Sequence, residues 1–219
     1  REPGVRGPAR LAGRQQALEL RGGDPALHQA ILARLALSQR AARCHHGSMA
    51  SRLVQLYAGL VLYGTSSSLL VLGGLGLDPW DVFHQGLSKQ TGLGIGTWAI
   101  IVGGAVLLLW IPLRQWPGLG TLSNVVLIGG TMDVVLWLAP TPHDLPVRIL
   151  CLVAGVVLNG VATGAYIGAG FGPGPRDGLM TGLAARGRSI RVVRTSIEVT
   201  VLVIGWLLGG TVGVGTVVY

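Results

Sequence analysis

The sequence is short of charge and of cysteine. Asp, Glu, Lys and Arg make up 12% of its 219 residues and half are apolar, with a mean hydropathy of +0.58. A soluble domain usually carries about 25% charged residues, so the composition excludes an ordinary water-soluble fold and points to a bilayer as solvent. The two cysteines, Cys44 and Cys151, share no paired or metal-ligand spacing, which excludes a disulfide framework. Cys44-His45-His46 lacks the second ligand pair that a closed metal site needs, so no metal is expected. There is no GxSxG elbow, HExxH helix or Walker loop, and the GxGxxG-like fragments follow from sheer glycine content. No catalytic residue and no cofactor are expected.

What is abundant is glycine, 36 residues without a collagen-like period, a density that suits helices packing closely within lipid. The net charge of +8 is concentrated in the first fifty residues and one later loop, a topological signal rather than a nucleic-acid-binding one. Residues 1–48 form a basic cytoplasmic tail with one weakly amphipathic stretch at 25–37 and no visible signal peptide. That tail reads as an over-extended start or a remnant ahead of Met49 rather than as a domain.

Spanning roughly 30 Å of hydrocarbon at about 1.5 Å per residue takes some twenty apolar residues. Runs of that kind lie near 53–76, 97–114, 120–139, 147–171 and 194–212, and the closing VGVGTVVY reads as the opening of a sixth. Arg52, Arg114, Arg176, Arg186, Arg188, Arg191 and Arg194 fall in the tail and alternate loops, which places the N-terminus in the cytoplasm. The expected architecture is all-α, a multi-pass helix bundle.

The chain also matches itself. At an offset of 96, Gly59 pairs with Gly155, Gly64 with Gly160, Gly74 with Gly170, Gly76 with Gly172, Pro79 with Pro175 and Asp81 with Asp177; GLGT at 118–121 matches GVGT at 213–216 one residue out of register. Two repeats follow, 49–140 and 147–219, the second incomplete. Three spans per half force the halves into opposite orientations, the inverted-repeat plan of many secondary transporters.

After the first and fourth spans, LGLDPWDVFHQGLSKQTG and FGPGPRDGLMTGLAARG each read as a glycine/proline break followed by a half-helix. Pro79 and Pro175 suit a first turn, and Asp81 and Asp177 follow near its open amides. Capping is the plain reading. The functional one is a pair of re-entrant segments framing a central cavity, with Gly76, Asp78, Asp81, Gly174, Arg176 and Asp177 as candidate substrate ligands and the helix N-termini receptive to an anion. Arg176 is expected to pair with adjacent Asp177 or to bind substrate. At membrane depth, Asp133 and Glu198 are candidates by position. Glu198 has Arg194 one turn away, whereas Asp133 is either a proton or cation site or a hydrogen-bond partner of Asn124, Asn159 or Thr163. His84 is expected at the outer surface, and Trp80, Trp98, Trp110, Trp116 and Trp137 in the interfacial belt.

At LGLDPWDVFHQGL and GAGFGPGPRDGLMTGL the chain resembles the bacterial YczE-like membrane proteins, related to the broader YitT group, over about residues 50–219. The resemblance implies an integral plasma-membrane fold, with a last span beyond Tyr219, and brings no substrate. The function expected is a small permease for a polar, even anionic, metabolite. The alternative is a non-transporting scaffold that helps a partner assemble. Expected partners are the lipid bilayer, the metabolite and a second copy of the chain, with no nucleic acid.

Overall fold

The computed structural model describes residues 48–187 and 189–218. The stretch at 25–37, Cys44, His45, His46, Arg188 and Tyr219 lie outside the described residues.

Among those described, all regular structure is helical: α1 Met49–Gly73, α2 Pro79–Thr91, α3 Ile95–Leu113, α4 Leu119–Leu138, α5 Leu145–Gly168, α6 Pro175–Ala184, α7 Ile190–Leu207 and α8 Val214–Val218. Four of these, α1, α3, α4 and α5, are long and apolar enough to cross a membrane. The five apolar runs expected therefore resolve into four such helices. The fifth run becomes α7, which spans 18 residues but carries Arg191, Arg194 and Glu198. Those charges line one stretch of an otherwise apolar helix, which a hydropathy reading of 194–212 discounts.

The core is an antiparallel pair, α1 against α5, held from both ends by arginine. Arg52 at the start of α1 donates from Nε and Nη2 to Ala169 O, 3.1 and 2.9 Å, just past the end of α5. Arg148 at the start of α5 donates from Nε to Gly73 O at 2.8 Å and from Nη2 to Gly74 O at 3.1 Å. A helix C-terminus leaves carbonyls without partners and carries partial negative charge, so a guanidinium there supplies both donors and countercharge. Between the arginines the backbones meet on glycine. A methyl at Gly59 would sit 2.9 Å from Tyr166 N, and one at Gly155 would sit 2.8 Å from Leu70 Cδ2.

These contacts obey the offset of 96: Arg52 and Arg148, their acceptors Gly73 and Ala169, and the glycines Gly59 and Gly155 all correspond. The breaks that follow correspond too. Gly74 and Gly170 end α1 and α5 with φ of +59° and +72°, and Gly76 and Gly172 lie at +119° and +113°. Pro79 and Pro175 then open α2 and α6. Each break is pinned by the other half: Gly120 N donates to Phe171 O at 3.0 Å, and Gly215 N donates to Leu75 O at 2.9 Å. In both GxGT segments the first glycine's amide donates to the threonine hydroxyl at 3.2 Å, Gly118 to Thr121 and Gly213 to Thr216.

Asp133 has a different partner from those expected. On α4, it accepts from Gly96 N and Thr97 Oγ1, both at 2.7 Å, and so caps the start of α3, whose own N-cap Gly94 offers no side chain. Asn159 instead donates to Ser66 Oγ at 3.2 Å and receives Thr163 Oγ1 at 3.5 Å. Capping bonds of this type are each worth about 1–2 kcal/mol. Asp133→Ala should lower unfolding stability by about that much, Asp133→Asn by less, and both should leave ligand binding intact. An Asp133→Asn variant that is stable yet loses binding would move this residue into the functional set.

Candidate functional site

A cavity of about 410 Å³ opens between the N-terminal ends of α2 and α6, walled by α1, α3, α4, α5 and α7; Tyr63, Asp78, Trp80, His84, Tyr166 and Asp177 are among its lining residues. Of the candidates read from sequence, Asp78, Asn124, Gly174, Arg176, Asp177 and Glu198 line it, and Asp81 is bridged to Arg176. Gly76 does not line it; its role is the left-handed turn that aims α2, whereas Gly174 serves as the N-cap position of α6 with φ −62°. Asn159 and Asp133 belong to helix packing as described.

The two half-helices begin alike and cap differently. Asp78 is the N-cap of α2 and accepts from Asp81 N at 2.6 Å. Its counterpart is Gly174, which has no side chain, so α6 lacks a side-chain cap. Asp81 and Asp177, both in first turns, turn their carboxylates to other partners. Asp81 Oδ1 lies 3.2 Å from His84 Nδ1, a contact that a proton on Nδ1 makes a hydrogen bond. Asp177 Oδ2 accepts from Tyr166 Oη at 3.0 Å.

Arg176 does not pair with its neighbour Asp177. It reaches across from α6 to α2, with Nη1 3.5 Å from Asp78 Oδ2 and Nη2 3.7 Å from Asp81 Oδ1. Its guanidinium also stacks on the Trp80 ring, 5.0 Å from the centroid. An arginine following Pro175 on α6 points its side chain along the helix start, toward α2 rather than along its own turn. One guanidinium thus serves two buried carboxylates from the opposite broken segment.

His84 is 1% exposed, not at the outer surface, because α2 is packed among helices rather than laid on a membrane face. The same packing buries Trp80 and Trp110, which do not join an interfacial belt; Trp110 instead donates to Pro175 O at 3.1 Å and seats α6. Trp116 and Trp137 are exposed, at 92% and 83%. The expected pair of Arg194 and Glu198 is present at 3.0 Å and borders the cavity.

Sequence reasoning missed Tyr63 and Tyr166, an edge-to-face pair with ring centroids 6.1 Å apart on the cavity wall. It also missed the joint role of Arg52 and Arg148, which the repeat register contains. Three side-chain atoms on α2, Trp80 Nε1, Asp81 Oδ2 and His84 Nε2, are buried without a hydrogen-bond partner among the described residues, an uncommon state for buried polar atoms.

Residues 50–219 match a family of unknown function, DUF6198. An uncharacterised protein of Haemophilus influenzae is 41% identical over 165 residues, 75% of this chain and 76% of that one. The uncharacterised membrane protein YczE of Bacillus subtilis is 38% identical over 164 residues, 74% of this chain and 76% of its own. A second Bacillus subtilis protein, the uncharacterised YyaS, is 30% identical over 72% of this chain and 81% of its own. No solved structure matches. With the family match running from the first residues of α1 to the end of the chain, and these relatives alongside it, the chain belongs to the DUF6198 family of YczE-like proteins.

Proposed function

We propose that the chain is an inverted repeat working as a small multi-pass permease of the bacterial plasma membrane, N-terminus inside, and that the cavity between α2 and α6 holds a polar metabolite in transit. The observation that carries the reading is the meeting of two broken segments, at positions matched by the offset of 96, around a cavity of mixed polar and apolar lining. Irregular backbone is tolerated at membrane depth only where protein or a cavity covers it, and transporters place substrate sites at such paired breaks. The matched arginine clamps, glycine φ angles and cross-half hydrogen bonds support the repeat. Reading α7 as a further span sets its Arg194–Glu198 pair at the edge of the cavity, where each charge has the other as partner.

Melting of the detergent-purified full chain against a panel of polar metabolites tests this, since a ligand at a hundredfold its Kd adds about 2.7 kcal/mol. A ligand found this way should cross proteoliposome membranes carrying the parent chain and not those carrying a folded Asp81→Asn variant. Equal flux through both would remove the α2 cluster from the mechanism. A folded, monodisperse protein that answers to no metabolite and co-purifies with a stoichiometric partner would favour the scaffold instead.

A further inference from the structure

Resting on that reading of the cavity as a substrate site, we infer that its occupant is cationic, an ammonium-bearing organic solute whose head sits by Asp177 and the Tyr63–Tyr166 pair. The charges around the cavity decide the sign. Four carboxylates, Asp78, Asp81, Asp177 and Glu198, face two guanidiniums, Arg176 and Arg194. Arg176 is engaged by Asp78 and Asp81, and Arg194 by Glu198. Asp177 belongs to none of the ion pairs among the described residues and has the Tyr166 hydroxyl as its hydrogen-bond donor. A hydroxyl donates without supplying a countercharge, so a carboxyl group outside any ion pair faces the cavity.

The α2 N-terminus is closed by the Asp78 carboxylate; the α6 N-terminus has no side-chain cap, but Asp177 in its first turn sets a carboxyl group beside it. The unpaired Asp177 beside the α6 N-terminus thus points to a cation rather than to the anionic group that a half-helix end alone would receive. Of the three unpartnered atoms, Trp80 Nε1–H is a donor and two are acceptors on the acidic side of the cluster: Asp81 Oδ2 and, with a proton on Nδ1 toward Asp81, His84 Nε2, both of which suit an N–H donor. Two tyrosine rings on the same wall add faces that attract an alkylammonium. Val102, Val106 and Ile128 give an apolar bed for the solute's body. The volume of about 410 Å³ falls within the range of small organic ligands and exceeds what a bare metal ion needs.

The test compares charge-reversed isosteres on the full chain in phosphatidylglycerol nanodiscs, which present no lipid amine: phenethylammonium against 3-phenylpropionate, by isothermal titration. The ammonium should bind with a Kd at least about tenfold lower, and Asp177→Asn, which keeps an acceptor for Tyr166, should raise that Kd about tenfold or more. Comparable or tighter binding of the carboxylate, binding of neither probe, or an Asp177→Asn variant with unchanged ammonium affinity would each overturn the inference. Empty phosphatidylglycerol nanodiscs serve as the blank, because their anionic surface concentrates an ammonium by itself, and the blank-corrected isostere comparison on the parent chain stands even where the variant fails to fold. Flux is scored separately. Tight ammonium binding without flux would sink the permease and keep the cation site, whereas anion binding with flux would do the reverse. Added phosphatidylethanolamine that competes with the probe would show a lipid headgroup as the source of the ammonium; no competition would show a free solute.

Discussion

Arg176→Met should destabilise the protein by about 3 kcal/mol, the low end of what removing one partner of a buried ion pair costs. The low end applies because the Arg176 side chain is 27% exposed, while the side chains of Asp78 and Asp81 are 3% exposed. Methionine keeps the length that packs on Trp80 but leaves two buried carboxylates without a countercharge. A second substitution, Asp78→Asn, should recover a large part of the loss, because asparagine still accepts from Asp81 N and removes one of the stranded charges. Chemical unfolding of the four proteins in this double-mutant cycle measures the coupling. Additive losses would mean that the bridge across the two half-helices contributes little, and the cavity would need another source of rigidity.

Gly76→Ala should destabilise the protein more than Gly172→Ala, although the two glycines hold nearly the same backbone φ, +119° and +113°. The shared strain of a side chain in that region is about 1–3 kcal/mol. The surroundings differ. At Gly76 a methyl would lie 2.8 Å from Gly213 N and Thr216 N and 2.9 Å from Gly213 C, all backbone atoms that cannot rotate away. At Gly172 the nearest atom is Thr121 Oγ1 at 3.0 Å, a side chain that can yield by weakening its bond to Pro173 O. Overpacking against fixed atoms adds a further 1–3 kcal/mol or so, so Gly76→Ala should lose roughly 2–6 kcal/mol and Gly172→Ala about 1–3. Thermal or denaturant midpoints of the two variants would decide it, and a larger loss at Gly172 would contradict the geometry.

Much of this fold was legible because it is written in local properties. Apolar runs, the glycines ending α1 and α5, and the prolines opening α2 and α6 depend on a residue and its immediate neighbours, so composition and spacing expose them. The offset of 96 even contained the Arg52 and Arg148 clamp, since both arginines obey it. Arginines near span ends also act as orientation signals, which masks that correspondence in the sequence. Arg194 and Glu198 were legible as a pair for the same local reason, one helical turn.

Where reading failed, the missing information was the facing of helices. An almost uniformly apolar helix carries little directional pattern, so nothing in α3 or α4 announces which side meets a neighbour. Asp133, which in sequence reads as a proton or cation site or as a partner of Asn124, Asn159 or Thr163, has its hydrogen bonds at the start of α3. His84, Trp80 and Trp110 were placed at surfaces and are buried.

The sequence by itself determined a helical, lipid-suited chain of the YczE-like family, with two matched breaks and acidic residues at the starts of two short helices. Only the tertiary structure decided that Arg176 answers Asp78 and Asp81 rather than Asp177, and that a carboxylate is thereby left facing the cavity. The reason is distance along the chain. Those partners are about a hundred residues apart, and which of them meet is set by close packing of glycine-lined helices, a choice that no local propensity records.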